Sequence, residues 1–389
     1  MNSAPVDKRW AHGARKLVRS IGRLDLPGGG QVVVRDGLAY VGHMDPPHGT
    51  SIVDVSDPKH PRVVAAIPAP PAGMSHKVRV RKDGVMFANS QKITGKPDDP
   101  NFTPGLRIFD VSHPASPRQL AFWRCAGVGV HRFDIDDRFA YLAAELEGYH
   151  GRIVVVLDVK DPVKPQEAGR WWLPGQWTAG GEEPTWEGQR HSCHLPLRYG
   201  DRLYVAYWHA GIIILNIADV SHPQFVSRRD WSPPYPCPTH TALRIPWKLA
   251  GRDFLLCTDE EVADRLTRWP AAFMWMVDVT DERNPIPIST FRGPDNPDFP
   301  PGEGFGAHQP QEQLYDRNVI ALTWFGGGLR LVDISDPYSP TEVGYYVPRP
   351  GSGQERVMSN DVCVSPDGLI YLLDRGNGLE ILEHRGGAR

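Results

Sequence analysis

Cysteine is scarce, and what there is of it is unpatterned. The five residues Cys125, Cys193, Cys237, Cys257 and Cys363 form no Cys-x-x-Cys pair, which excludes a disulfide framework and a zinc ribbon. They read as free thiols in a cytoplasmic setting. Long apolar runs are also missing: no stretch approaches the roughly 20 residues of a membrane span. The first residues, MNSAPVDKRWAHGARK, lack the apolar centre of a secretory signal. Charge of one sign is not concentrated anywhere, and the formal balance is only −3, so nucleic acid and anionic membranes are not implied as partners. No Ser-His-Asp nucleophile pattern, phosphate loop or dinucleotide fingerprint is present. Helical periodicity is confined to one insert, DEEVADRLTRWP, where Val262, Leu266 and Trp269 share a face.

Turn residues, by contrast, are plentiful, with 39 Gly and 38 Pro. They punctuate a phrase that recurs along the chain. It reads SIVDVSDPKHP from Ser51, RIFDVSHPASP from Arg107, VVLDVKDPVKP from Val155, ILNIADVSHPQ from Ile214, MVDVTDERNP from Met276 and RLVDISDPYSP from Arg330. A degenerate copy, GLEILEH, starts at Gly378. Its acidic or amide position is Asp54, Asp110, Asp158, Asn216, Asp278, Asp333 and Glu383, at intervals of about 48 to 62 residues. A β-branched strand stopping at an Asp-Pro or His-Pro turn, at this period, predicts the blades of an all-β, seven-bladed β-propeller.

The phrase resembles that of the LVIVD-repeat family of β-propeller proteins, which implies this fold and little about activity. In architecture the chain is more distantly similar to carotenoid cleavage oxygenases and to selenium-binding proteins of the methanethiol oxidase type. The first of these implies Fe²⁺ held by four histidines with glutamates behind them. The second implies copper and thiol oxidation.

A leader over residues 1–15 is predicted to be disordered, followed by a single propeller over 16–389. The run KLVRSIGRLDLPGG from Lys16 matches the strand that succeeds the phrase in other copies, such as RVVAAIP and TEVGYYVP. The last copy lacks that strand. The two ends are therefore predicted to share one blade and close the ring, leaving no open sheet edge.

Aligning the repeats on the opening of their first strands yields a column: His76, His131, His194, His240, His308 and Asn360, with Gly29-Gly30-Gln31 in the first repeat. First strands line the channel of a propeller, so five imidazoles are predicted to converge on its axis. Neutral imidazole suits Fe, Cu, Ni and Zn. The reading is a metal-dependent oxidoreductase, an oxygenase or oxidase, with the five histidines as metal ligands and O₂ as co-substrate. Fe²⁺ is the expected metal, with copper as the alternative and Zn or Mn behind it.

The ends of the second strands lie at the same mouth. There stand His43, Glu145, His209, Asp259, Trp324 and Asp374. Glu145, Asp259 and His43 are the catalytic candidates; the acids are placed to fix the tautomer of a ligand histidine. Long inserts at 90–104 and 259–270, with Trp177 and Trp186, are expected to roof a pocket for a small hydrophobic or aromatic substrate. Three other readings stand beside this one. They are a metal-free stack of hydrogen-bonded histidines, a non-redox metal-dependent lyase or hydrolase, and a non-enzymatic interaction platform.

Overall fold

The computed structural model describes residues 7–93, 99–261, 271–293, 304–315, 317–351 and 353–386. The predicted helix around Val262 lies outside these residues, as do 94–98 of the first insert and 262–270 of the second. The fold is all-β and propeller-like, built largely of antiparallel four-stranded sheets. Strands mostly pair with their chain neighbours in meanders, as in Gly29–Arg35, Leu38–His43, His48–Asp54 and Arg62–Pro68, and two of the six sheets have five and eight strands.

The recurring phrase is a structural device. Its acidic or amide side chain accepts the backbone N–H two residues on: Asp54 from Ser56 (3.0 Å), Asp110 from Ser112 (3.0 Å), Asp158 from Lys160 (2.9 Å), Asn216 from Ala218 (3.0 Å), Asp278 from Thr280 (2.9 Å) and Asp333 from Ser335 (2.8 Å). Such a local bond competes with the sheet ladder and stops the strand where the sheet must turn. The return strand then pairs with a register shift at the same place in every copy, for example at Ile52/Val53, Ile108/Phe109 and Met276/Val277. A shift of that kind bends the outer strand and increases its twist.

The core lies between sheets. Val85, Phe87 and Ile108 pack with Phe133, Leu142 and Val155, and Tyr141 and Val154 pack in turn with Val205 and Ile213. Burying a side chain of this size is worth about 1.5–3 kcal/mol. The sheet of Gly29–Pro68 also meets the last sheet, where Val32, Val41 and Val53 touch Cys363, Leu373 and Ile381.

The N-terminal segment serves two sheets. Arg15–Lys16 pairs with Thr341–Tyr346, and Val18–Leu24 pairs with Gly378–His384. Leu17, between them, sits in the left-handed region at φ +56°, which lets the chain step from one sheet to the next. From Asp7 onward the segment expected as a leader lies against the fold. Trp10 is buried against Phe305 and Trp324, with the Arg330 guanidinium 3.5 Å from its ring centroid. Arg330 also donates to the Arg9 carbonyl oxygen, so the segment is pinned by both packing and hydrogen bonds.

Candidate metal centre

First strands share one irregularity. Their pairing slips at Gly29/Val32, Val130/Phe133, His191/Leu195, Thr239/Thr241 and Ser359/Asp361. A bulge re-aims the side chain it releases, and in each case the released residues include the predicted column position. The five histidines consequently form a belt of touching rings. Centroids are 4.9 Å apart for His76–His131, 4.7 Å for His131–His194, 4.4 Å for His194–His240 and 4.2 Å for His240–His308. The belt continues through the backbone. His308 donates from Nδ1 to the Asn360 carbonyl oxygen at 2.6 Å, and Asn360 donates to the carbonyl oxygen of Gly30. A Cβ at Gly30 would stand 2.7 Å from that of His76, so no side chain fits there.

Hydrogen bonds assign the histidines different roles. His131 donates from Nδ1 to Gln91 Oε1 (2.6 Å), His194 to the His240 carbonyl oxygen (2.7 Å), and His308 to that of Asn360. Those three rings, when neutral, present Nε2 as a lone pair. His76 is reversed. Asn89 accepts the Lys77 N–H at Oδ1 (2.8 Å) and donates from Nδ2 to the Val130 carbonyl oxygen (3.0 Å), which fixes its amide. The same Nδ2 lies 3.0 Å from His76 Nδ1, so His76 accepts there and carries its proton on Nε2. His240 Nδ1 meets the Thr241 hydroxyl (2.8 Å), which serves either tautomer. Burial, reinforced by arginine charges nearby, holds all five pKa values well below the ordinary histidine value. Neutral imidazole is the form that ligates.

Glu260 supplies the carboxylate. One ligand atom each from His194, His240 and Glu260 lie within 4.8 Å of one another. Glu260 also stands 4.0 Å from His240 Nε2 and 3.6 Å from His308 Nε2. A metal with bonds of about 2.0–2.2 Å holds neighbouring ligand atoms roughly 3–3.5 Å apart, so small rotations close the set. His240 Nε2 is buried and, among the described residues, has no hydrogen-bond partner. This donor set fits a divalent transition metal.

The catalytic candidates are engaged by other partners. Asp259 is one residue from the carboxylate that reaches the belt, and neighbouring strand residues face opposite ways. Its oxygens take the indole N–H groups of Trp231 (2.9 Å) and Trp275 (2.8 Å), and burial raises its pKa to about 8. His43 is occupied at both nitrogens, by the Pro27 carbonyl oxygen (2.6 Å) and the Ser51 hydroxyl (2.8 Å). Glu145 accepts the Val128 N–H (2.8 Å), and Asp374 caps the N–H groups of Met358, Gly376 and Asn377. None of these acids fixes a belt tautomer; amide and main-chain carbonyl oxygens do that work. Among the described residues Trp186 stacks on His191 at 4.5 Å and lies 6.3 Å from the ring of His150. Trp177 is 41% exposed and packs on Trp172.

Two aromatic residues not singled out in the sequence flank the belt instead. Trp208 stands edge-on to His194 (5.1 Å) and Phe325 lies over His308 (4.4 Å). Both occupy the left-handed region, at φ +51° and +41°. Such backbone strain in bulky residues is found where surroundings enforce it, often at functional sites.

The chain carries LVIVD repeats, matched at residues 29–66, 198–230 and 322–347. No curated protein matches the sequence. Among solved structures, a Lactobacillus plantarum protein is similar at 14% identity and TM-score 0.58, over 87% of this chain and 92% of its own. A putative 6-phosphogluconolactonase from Bacteroides fragilis is similar at 12% identity and TM-score 0.57, over 91% and 96%. Saccharomyces cerevisiae Sqt1 is similar at 8% identity and TM-score 0.55, over 95% and 87%. These likenesses concern the propeller-like fold alone.

Proposed function

We propose that the sheets close into a seven-bladed β-propeller and that its belt is the metal centre of an oxidoreductase. Closure is supported by the pairing of Val18–Leu24 with Gly378–His384 and by the packing of the first sheet on the last. The observation that carries the function is the donor set: one nitrogen each of His194 and His240 with the carboxylate of Glu260, beside which His308 Nε2 stands at 3.6 Å. Two histidines and a carboxylate with positions left open is the arrangement of non-haem Fe²⁺ oxygenases, and Fe²⁺ so held supplies one-electron and O₂ chemistry. Copper is the alternative metal, the imidazoles being common to both.

The chain's own residues do the rest. Gln91, His240 and Asn360 hold three imidazoles by their far nitrogens, which sets ring orientation and basicity. His76, outside the ligand set, keeps a buried Nε2–H with no hydrogen-bond partner among the described residues and would be free to donate to a ligand. Trp208 and Phe325 supply aromatic walls for a small substrate. The test is metal quantification on untagged protein, followed by an O₂-uptake screen of small aromatic compounds. About one iron per chain is expected. Metal-free protein that stays metal-free after anaerobic Fe²⁺ addition would leave the interaction platform in its place.

A further inference from the structure

Four arginines surround the belt, and the described residues offer none of them a carboxylate partner in an ion pair. Arg132 is 3% exposed and crosses from its own strand to Gln309, donating to Oε1 at 2.7 Å. Arg152 is 2% exposed and donates from Nε to the Cys193 carbonyl oxygen at 2.9 Å. Arg375, half-buried, donates to Asn360 Oδ1 at 2.8 Å, while Arg190 is exposed at the rim. Arg132 Nε and Arg152 Nη2 are buried without hydrogen-bond partners among the described residues. All four act electrostatically on Glu260, the carboxylate they share. Other carboxylates act on them as well: Glu145 on Arg152, Asp361 on Arg132, and Asp374 and Asp45 on Arg375. Glu145, Asp361 and Asp374 already accept backbone N–H groups.

A buried charge is ordinarily paired, because the unpaired form costs several kcal/mol of lost hydration. Arg132 Nε and Arg152 Nη2 are left without a partner among the described residues, so the site holds guanidinium donors to spare, and a divalent metal on the belt would add to their positive charge. The arginines also grade in depth, from Arg190 at the rim through Arg375 to Arg152 and Arg132. That gradient draws anions inward. Each aromatic wall carries a guanidinium as well: Arg190 lies over Trp208 (4.9 Å), with Arg152 at 6.0 Å, and Arg375 lies over Phe325 (5.3 Å).

We infer that the substrate of the proposed metal centre is a small organic anion, with carboxylate or phosphate oxygens gripped by Arg152 and Arg375 and an apolar or aromatic body between Trp208 and Phe325. This rests on the functional reading for the reaction but not for binding, since the arginines are present with or without the metal. The fork of a guanidinium matches either oxyanion.

The test is calorimetric titration of benzoate, phenyl phosphate and uncharged benzamide into the full chain, both chelator-treated and iron-loaded. At least one anion is expected to bind tenfold or more tightly than benzamide to both forms, and to weaken steeply with salt. Benzoate ahead of phenyl phosphate assigns a carboxylate, the reverse a phosphate. Arg152→Met and Arg375→Met should each weaken that anion tenfold or more, with Arg152→Lys intermediate and Arg170→Met, on the outer face, unchanged. Arg375 is half-buried, so its variant carries the test if Arg152→Met does not fold. Equal or weaker binding of both anions relative to benzamide, in both forms, overturns the inference. Anion binding to protein that never takes up iron would uphold it while removing the oxidoreductase.

Discussion

Asn89 Nδ2 lies 3.0 Å from His76 Nδ1, and this contact gives His76 the proton position opposite to that of His131, His194 and His308. Because the Asn89 amide is fixed by two backbone partners, the assignment rests on donors and acceptors alone. Long-range ¹⁵N–¹H NMR on histidine-labelled, chelator-treated protein should show His76 protonated at Nε2. His131, His194 and His308 should be protonated at Nδ1. Replacing Asn89 with Asp should move the His76 proton to Nδ1. A common tautomer for all four rings would contradict the division of roles.

Asp259 and Glu260 adjoin in sequence and should separate in effect. Asp259→Asn keeps an acceptor for one or both indole N–H groups and should leave metal content unchanged. Asp259→Ala leaves the Trp231 and Trp275 N–H groups unpaired and should cost about 1–3 kcal/mol in denaturant unfolding. Glu260→Gln should lose metal without loss of stability. Metal loss in Asp259→Asn would return the site to the neighbouring position.

Closure is tested by removing residues 1–26. That deletion strips Val18–Leu24 from the last sheet and leaves Gly378–His384 as an open edge. A lower melting temperature and concentration-dependent aggregation are expected. A truncated chain as soluble and as heat-stable as the parent would mean the ends do not close the fold.

The phrase itself sets a pH dependence. Hydroxyl and N–H donors of Ser56, Ser112 and Ser221 hold Asp54, Asp110 and Asp219 below the ordinary carboxylate value, and the Lys160 N–H does the same for Asp158. A depressed folded-state pKa contributes stability that is fully present above the unfolded value. It is lost as pH falls through the folded value. The melting temperature should therefore be flat near neutrality and fall below about pH 4. Ser56→Ala with Ser112→Ala should shrink that acid-side slope. An unchanged slope would place the acid sensitivity elsewhere.

Legibility in the chain depends on how local each signal is. Asp54 and its equivalents stop their strands through a bond two residues away, so the repeat and the sheet class were visible in the letters. The histidine column was legible for a related reason: a bulge recurs where first strands open, and it releases an equivalent residue in successive repeats toward its neighbours. Glu260 was missed because alignment on strand ends selected Asp259, and a one-residue offset reverses the face. Strand alternation from Thr258, whose hydroxyl donates to the His308 carbonyl oxygen, points to Glu260 instead. Arg132, Arg152 and Arg375 occupy unrelated positions in their repeats. Only the curvature of the whole assembly brings them together, and no spacing in the sequence records it.

Metal content per chain across single variants tests the central claim most directly. His194→Ala, His240→Ala and Glu260→Gln should each lose most of the bound iron, while His76→Ala, with its reversed tautomer, and His60→Ala, at an exposed turn, should retain it. Iron retained by the first three variants, or lost as fully from His76→Ala as from His194→Ala, would contradict the account.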